Sequence, residues 1–453
     1  MILAIDQGTT GTTCLALDDD FTVTGRGYRE LPQHFPRPGW VEHDPEEIWA
    51  TVTGAARDAG GEPTVVAITN QRETTLLWDR ATGRTVAPAI VWQDRRTAER
   101  CRELDPELIR RKTGLVPDPY FSATKLEWLL REHGPRDGLL FGTVDSFLVW
   151  RLTGGEQHVI DVTNASRTLL VDLQTLDWDD ELLAFFGVPR ELLPRIVRSA
   201  ETVGEGELNG RSVEIRGIAG DQQAALYGQG CHAPGEGKAT YGTGSFVLVH
   251  TGDDASAPPD GLLKTAAADG YALEGAVLTS GAAIQWLRDG LGLVGSAAET
   301  EALAASVVDT GGVHFVPALT GLGSPWWDAD ARGLVTGLTR GTTSAHLVRA
   351  ALEAVAHQVA DVVDALPVTP RVLRADGGAT ANAFLMQFQA DLLQAPVEVA
   401  AERETTALGA AALGAGRESG VAVSAVYEPT RSADEVAALR AGWRRALDLT
   451  RSS

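Results

Sequence analysis

Short apolar runs alternate along the chain with longer amphipathic segments, a pattern that predicts an α/β protein. Residues 2–5 and 14–17 are apolar runs typical of strands, and the polar, glycine-containing stretch between them predicts a tight turn. Residues 64–68 and 371–374 are further short apolar runs. We therefore expect mixed sheets flanked by helices.

The amphipathic segments carry recognisable helix starts. Asp44 is placed to cap a helix, with Pro45 in the first turn and Glu47 in position for a capping box. Thr343 or Ser344 would cap a longer helix that buries one face. The apolar residues of that face are Leu347, Ala351, Val355, Val359 and Val362.

The length of 453 residues favours two domains over a single core. Glycine and proline cluster at residues 228–238, so we expect domains at 1–230 and 238–453, with a hinge between them. A second strand–turn–strand pattern at residues 239–249 opens the second half as the first one opens the chain. This repetition predicts a duplicated architecture.

Charge and cysteine usage narrow the class of protein. The net charge of −22 would repel a phosphate backbone, so nucleic acid is not an expected partner. The three cysteines, Cys14, Cys101 and Cys231, are far apart and lack metal-binding spacing, as is typical of a cytoplasmic protein. The sequence predicts neither a signal peptide nor a membrane span.

The first turn carries candidate phosphate-binding chemistry. Gly8 and Gly11 allow a ligand to approach the backbone, and the amides and threonine hydroxyls around them form a nest for phosphate oxygens. Asp6, at the end of the first strand, is placed to hold Mg²⁺ beside those phosphates. An ordinary hairpin is the alternative, because short glycine-rich motifs are weakly specific.

Two further places carry candidate acid–base and binding groups. Asp221 follows a predicted strand and begins a helix, either as a simple N-cap or as a carboxylate that accepts the proton of an attacking hydroxyl. Arg72 and Glu73 follow another strand, either as a surface ion pair or as donors and acceptors for a small polyol. Trp92 and Phe246 are either core residues or an apolar wall of that pocket.

Six segments, taken in order, resemble the FGGY carbohydrate kinases, and within that family the members that phosphorylate glycerol. They are residues 6–10, 38–45, 70–75, 118–122, 217–223 and 376–378. The resemblance implies two ribonuclease-H-like domains of the actin/hexokinase/Hsp70 superfamily, with ATP and the acceptor bound in the cleft between them. It also implies a cytoplasmic homodimer or homotetramer that converts glycerol and ATP to sn-glycerol 3-phosphate.

The resemblance implies a role for each matching residue. The acceptor positions are Arg72, Glu73, Trp92, Tyr120, Asp221, Gln222 and Phe246. The nucleotide positions are Thr9, Thr10, Gly11, Thr243, Gly281, Gln285, Gly378 and Asn382. Asp221 matches the general base, and Asp6 matches the carboxylate near Mg²⁺.

The chain departs from the family pattern at two places. The family's first hairpin ends in an arginine that approaches the phosphates, whereas this chain has Thr13, so we expect weaker phosphate binding or slower turnover. Residues 207–212 are short where members inhibited by fructose 1,6-bisphosphate carry a longer loop, and we predict that this control is absent.

Two alternative functions remain open at this point. A kinase of the same fold could act on a pentulose or another polyol, which a substrate panel would separate. A nucleotide-binding protein that transfers nothing is supported by the departure at Thr13 and opposed by Asp221 and the whole acceptor set.

Overall fold

The computed structural model describes residues 1–134, 137–420 and 422–451, and it contains one large sheet in each half of the chain. The strands of the first half are β1 (Ile2–Gln7), β2 (Gly11–Leu17), β3 (Val23–Glu30), β4 (Glu42–His43), β5 (Val65–Asn70), β6 (Leu76–Asp79), β7 (Ala89–Ile90), β8 (Leu139–Gly142), β9 (Val159–Asp161), β10 (Val171–Asp172), β11 (Asp177–Trp178), β12 (Arg195–Val197), β13 (Thr202–Leu208) and β14 (Arg211–Gly220). Its helices are α1 (Pro45–Ala59), α2 (Ala98–Cys101), α3 (Pro106–Thr113), α4 (Ser122–His133), α5 (Val144–Leu152), α6 (Val162–Ala165), α7 (Asp180–Phe186) and α8 (Asp221–Gly228).

The second half continues with a similar mixture of elements. Its strands are β15 (Gly237–Tyr241), β16 (Ser245–Gly252), β17 (Leu263–Ala267), β18 (Gly270–Val277), β19 (His314–Val316), β20 (Leu334–Thr336), β21 (Leu373–Asp376), β22 (Val397–Ala400) and β23 (Val423–Tyr427). Its helices are α9 (Gly281–Asp289), α10 (Glu299–Ala305), α11 (Ser344–Asp364), α12 (Ala383–Leu393), α13 (Thr405–Ala415) and α14 (Ala433–Arg451). The α/β class with mixed sheets, expected from the sequence, is confirmed.

The two large sheets share one arrangement. The first has the order β13-β14-β5-β1-β2-β3, with β1 antiparallel to β2 and parallel to β5. The second has the order β17-β18-β16-β15-β21-β22-β23, with β15 antiparallel to β16 and parallel to β21. In each sheet, therefore, the opening hairpin lies beside a parallel strand that comes later in the chain.

The two halves also exchange helices. Helix α13, from the second half, packs on α8 and on β1, β5 and β14 of the first sheet. Helix α8, from the first half, contacts β15 and β16. The crossing of α8 and α13 needs glycine, because a Cβ added at Gly409 would lie 1.9 Å from the carbonyl oxygen of Ala224. Residue 221, at the start of α8, is consequently held where the two halves meet.

The helix starts follow the sequence in part. Asp44 caps α1 by accepting from the backbone N–H of Glu46 at 2.8 Å, as expected. The predicted capping box of α1 is wrong, because Glu47 instead lies 2.9 Å from the His34 ring. Thr343, rather than Ser344, caps α11.

Helix α11 is more deeply buried than its pattern predicted. We expected one apolar stripe, but every residue from 348 to 363 is buried. The reason is that α11 is packed against α9, α10, α12 and α14 as well as β16, β18 and β19, so it has neighbours on several sides.

Three smaller features bear on the expectations from the sequence. Strands β13 and β14 are joined by a two-residue turn, Asn209-Gly210, in which both residues have positive φ (52° and 79°). The three cysteines are buried free thiols. Of the helices in the described ranges, none has the length and apolar character needed to cross a membrane.

Candidate active site

A cluster of four buried charges lies between the two halves. Arg72 and Glu73 follow β5, Arg167 follows α6, and Glu274 belongs to β18. Their exposed fractions are 2% for Arg72, 1% for Glu73 and 0% for the other two. Burial of this kind excludes the interpretation of Arg72 and Glu73 as a surface ion pair.

Arg72 forms the centre of this cluster. Its two terminal nitrogens donate to the two oxygens of Glu274 at 2.6 and 3.0 Å, a bidentate pair that joins the halves. Further donations reach Gln223 Oε1 at 3.3 Å and the Tyr120 hydroxyl oxygen at 3.2 Å, and Nε lies 3.2 Å from Asp221 Oδ1. The two terminal nitrogens of Arg72 thus donate four hydrogen bonds to protein groups, and its Nε forms an ion pair with Asp221. Arg72 therefore frames the site, and the Tyr120 hydroxyl, which accepts from it, keeps its own hydrogen for a ligand.

Glu73 is held in an unusual backbone conformation. Its φ of 60° lies in the left-handed region, which side chains rarely adopt outside functional or tightly constrained positions. This conformation allows Glu73 Oε1 to accept from Arg167 Nε at 2.7 Å. Arg167 also donates to Glu274 at 2.9 Å, which completes the cluster.

The surroundings shift the pKa values of the two carboxyl groups of the cluster in opposite directions. Burial raises the pKa of Glu73 despite its two arginine neighbours. Burial also opposes ionisation of Glu274, but Arg167 and Arg72 outweigh it and lower the pKa of Glu274 to about 2. Glu274 is therefore a fixed negative charge that anchors Arg72.

Asp221 is the partly exposed carboxylate of the site. It is the first residue of α8, and Gly220 occupies the N-cap position, so the interpretation of Asp221 as a simple N-cap is wrong. Its Oδ1 accepts from the backbone N–H of Gln222 at 2.7 Å and faces Arg72, while 30% of the side chain is exposed. One oxygen is anchored, which leaves the other for a ligand.

Aromatic rings from both halves line the same place. Trp92 packs edge-on against Tyr120 at 5.6 Å and against Phe246 at 6.3 Å between ring centroids. Trp92 and Phe246 are both only partly buried. The indole N–H of Trp92 donates to Thr9 Oγ1 at 2.9 Å, which links this wall to the first hairpin.

The first hairpin turns tightly beside Asp6. The N–H of Gly8 donates to the carbonyl of Gly11 at 2.9 Å, and Thr9 and Thr10 form the tip. Burial, followed by the charges of Asp221 and Glu404, raises the pKa of Asp6 well above its ordinary value. A cation fits this place, because it would offset the crowded negative charge. In the described part of the chain, no three or more His, Cys, Asp or Glu side chains are grouped so that they could hold a metal ion.

Thr13 lies directly opposite Asp6 in the β1–β2 register. Cross-strand neighbours point to the same face of a sheet, so the family arginine at this position would lie beside Asp6. If the family has an arginine there, as the resemblance implies, this chain has a neutral Thr13 where a cation would lie on the Asp6 face of the first hairpin.

The remaining nucleotide positions meet in one cavity of about 610 Å³ in the second half. This size suits a ligand of roughly nucleoside dimensions. The predicted residues that line it are Thr243, Gly281, Gln285, Gly378 and Asn382. The predicted Thr9, Thr10 and Gly11 are not in its lining and lie at the first hairpin instead.

Close backbone packing shapes the edge of this cavity. The N–H of Gly281 donates to Gly242 O at 2.9 Å, so α9 starts against the second hairpin. A Cβ at Gly281 would lie 2.5 Å from that oxygen, whereas a Cβ at Gly378 would meet open space. Gly281 is thus required by the packing, and Gly378 leaves room for a ligand.

Sequence reasoning missed three residues of the site: Arg167, Glu274 and Lys238. The last of these donates to the side-chain oxygen of Gln222. Glu274 did carry a signal, because it is the single charged residue in the apolar strand β18. Arg167 had no comparable pattern. Its partners come from distant parts of the chain, so only the folded structure brings them together.

Comparison with known proteins agrees with this fold. Residues 1–228 match the N-terminal domain, and residues 237–416 the C-terminal domain, of the FGGY family of carbohydrate kinases. The chain belongs to this family.

Individual relatives are similar over nearly the whole chain. Glycerol kinases from Rhodopirellula baltica and Carboxydothermus hydrogenoformans are each 50% identical to it over 99% of its length, which covers 90% and 98% of those proteins. The crystal structure of Plasmodium falciparum glycerol kinase with ADP has a TM-score of 0.89 at 33% identity, covering 99% of this chain and 98% of that one. A xylulose kinase from Rhodospirillum rubrum has a TM-score of 0.84 at 25% identity, with the same coverage of 99% and 98%.

Proposed function

We propose that this protein transfers the γ-phosphoryl group of ATP to a terminal hydroxyl of glycerol, giving sn-glycerol 3-phosphate and ADP. The observation that carries the proposal is Asp221, a partly exposed carboxylate at the meeting point of the halves, beside the acceptor set. The relatives at 50% identity, which are named glycerol kinases, favour glycerol over other acceptors.

Asp221 acts as the general base. Its unanchored oxygen accepts the proton of the attacking hydroxyl while that hydroxyl's oxygen forms a bond to the γ-phosphorus and the bond to ADP breaks. Arg72 and the backbone N–H of Gln222 hold the other oxygen in place. This orientation matters because phosphoryl transfer depends mainly on positioning and on neutralisation of charge.

The acceptor is held between polar and apolar groups. Glu73 and Tyr120 face its hydroxyls as acceptor and donor, and Gln222 adds a further donor. Trp92 and Phe246 cover its carbon side. A small polyol, with polar and apolar faces, suits this combination.

The nucleotide is proposed to lie in the 610 Å³ cavity, with its phosphates between the two hairpins. Asp6 would hold Mg²⁺, which neutralises phosphate charge when bound. Water must be excluded during transfer, so we also propose that the halves close around the ligands near residues 228–237. The cytoplasmic location and the dimeric or tetrameric state remain predictions.

The test is ADP formation by the purified chain with Mg-ATP, measured without acceptor and with glycerol, xylulose or other polyols. Strong turnover that depends on glycerol supports the proposal. A preference for xylulose would assign another acceptor within the family. ADP binding without turnover on any acceptor would instead identify a nucleotide-binding protein, and Thr13 would be the first position to restore to arginine.

A further inference from the structure

Lys238 is a fully buried lysine at the point where the halves meet. It lies on β15, its side chain is 0% exposed, and its ammonium donates to Gln222 Oε1 at 2.5 Å and to Thr240 Oγ1 at 2.7 Å. These contacts are to neutral oxygens, and none of the ion pairs found among the described residues includes Lys238. A buried ammonium without a direct counter-ion costs stability, so its retention at this place calls for a role in the site.

The chemistry of the contact fixes the orientation of the Gln222 amide. An ammonium group only donates hydrogen bonds, so the amide atom that faces Lys238 must be the carbonyl oxygen. The amide nitrogen is then the end of Gln222 that remains for a ligand. Gln222 also follows Asp221 directly and donates its backbone N–H to that carboxylate. Lys238 therefore decides whether Gln222 presents a donor or an acceptor next to the general base.

The ammonium form persists in this environment. Burial lowers the pKa of Lys238 to about 8, and the charges of Asp376 and Asp221 limit the decrease. Asp376 forms no ion pair with Lys238: its Oδ2 accepts from Gln229 and Thr405, and its buried Oδ1 has no hydrogen-bond partner among the described residues. At neutral pH the contact with Gln222 is thus that of a charged donor with a neutral oxygen, which is stronger than one between neutral groups.

We propose that Lys238 is a positioning residue for the acceptor: it holds the Gln222 amide so that its nitrogen donates to a hydroxyl of the bound polyol. This inference rests on the proposed function, because it assigns Gln222 to the acceptor rather than to the nucleotide. Lys238 itself touches no reacting atom. Its effect must therefore pass through Gln222.

A double-mutant cycle tests this dependence. Lys238→Met, Gln222→Ala and the double variant are compared with the unsubstituted chain by steady-state ADP formation, with glycerol and ATP varied separately. We expect each single change to raise the glycerol KM about tenfold, as for the loss of one hydrogen bond, and the ATP KM to change less than twofold. In the Gln222→Ala background, Lys238→Met should add less than a twofold effect.

Lys264→Met is the matched control. Lys264 is also a buried lysine of the second sheet, on β17, but its ammonium donates to Asp254 at 3.4 Å, and no hydrogen bond among the described residues joins it to an acceptor residue. Its substitution should leave both KM values within twofold. Thermal unfolding of all variants establishes that they are folded.

A second variant keeps the inference testable if Lys238→Met does not fold. Gln222→Glu retains an oxygen for Lys238 but has no N–H to offer, so we expect a rise in glycerol KM comparable to that of Gln222→Ala. Independent, multiplying effects of Lys238→Met and Gln222→Ala would overturn the inference, as would an unchanged glycerol KM in Gln222→Glu. Those outcomes arise in an active enzyme, whereas failure of the unsubstituted chain to turn over glycerol would overturn the proposed function itself.

Discussion

Replacing Glu274 by glutamine removes one of two negative charges from a cluster that also contains Glu73, Arg72 and Arg167. All four side chains are buried, so water cannot compensate for the lost charge. Breaking a buried pair by removing one partner costs about 3–5 kcal/mol. The lowering of the Glu274 pKa from 4.5 to about 2 gives a similar figure, about 3 kcal/mol. We therefore expect Glu274→Gln to lower the free energy of unfolding by about 3 kcal/mol at pH 7.

The lowered pKa of Glu274 also makes its contribution to the free energy of unfolding depend on pH. Because the pKa of Glu274 is depressed in the folded state, its contribution is fully present above the ordinary value of 4.5. The contribution is lost as pH falls from 4.5 towards 2, where the folded protein also takes up the proton. The difference in stability between the unsubstituted chain and Glu274→Gln should thus be constant from pH 7 to about 5 and shrink below that.

Urea-induced unfolding at several pH values from 7 to about 3.5 measures this difference. Glu62→Gln is the control, because Glu62 pairs with Arg211 on the surface at 79% and 51% exposure. Its effect should stay within about 0.5 kcal/mol. A Glu274→Gln effect below about 1 kcal/mol, or one that does not change with acid, would refute this account of the cluster.

Four further predictions concern turnover. Asp221→Asn should reduce kcat by about 10² or more while ADP binding, measured by calorimetry, is retained, and near-normal turnover would remove Asp221 from the mechanism. Trp92→Phe keeps an aromatic wall but deletes the N–H bound to Thr9. We therefore expect kcat to fall or the ATP KM to rise by about tenfold, with a smaller change in glycerol KM. A change in glycerol KM alone would contradict this. Thr13→Arg adds a cation beside Asp6 and should lower the ATP KM, and an unchanged value would show that another group fills this role. Because a two-residue turn replaces the loop between β13 and β14, millimolar fructose 1,6-bisphosphate should leave turnover unchanged, and measurable inhibition would show the prediction wrong.

Local features of the sequence predicted local features of the structure. The hairpin at residues 2–17, the cap at Asp44 and the start of α11 at Thr343 depend on neighbours within a few residues, and each formed as expected. The predicted stripe of α11 was too narrow, since periodicity cannot show how many elements surround a helix. Glu47 contacts His34 instead of capping its own helix, and a pattern along one helix cannot show a contact with a residue outside it.

Motif order proposed a set of candidate site residues, and the structure shows which contacts those residues make. From the sequence, Arg72 is expected to donate to a polyol, and this stays a prediction; in the structure its terminal nitrogens donate to Gln223, Tyr120 and Glu274. Its main partner, Glu274, is 202 residues away in the chain. No spacing rule connects residues so far apart, because their contact exists only after both sheets have formed.

The sequence by itself therefore determined the family and the elements that open each half, and it supplied the candidate site residues. Those properties are carried by short segments whose conformation and chemistry depend mainly on their own residues. Only the tertiary structure decided the buried charge cluster, the link from Trp92 to Thr9 and the orientation of Gln222 by Lys238. Each of these depends on burial and on the direction of a hydrogen bond between separate elements, and both are set when the two halves pack together.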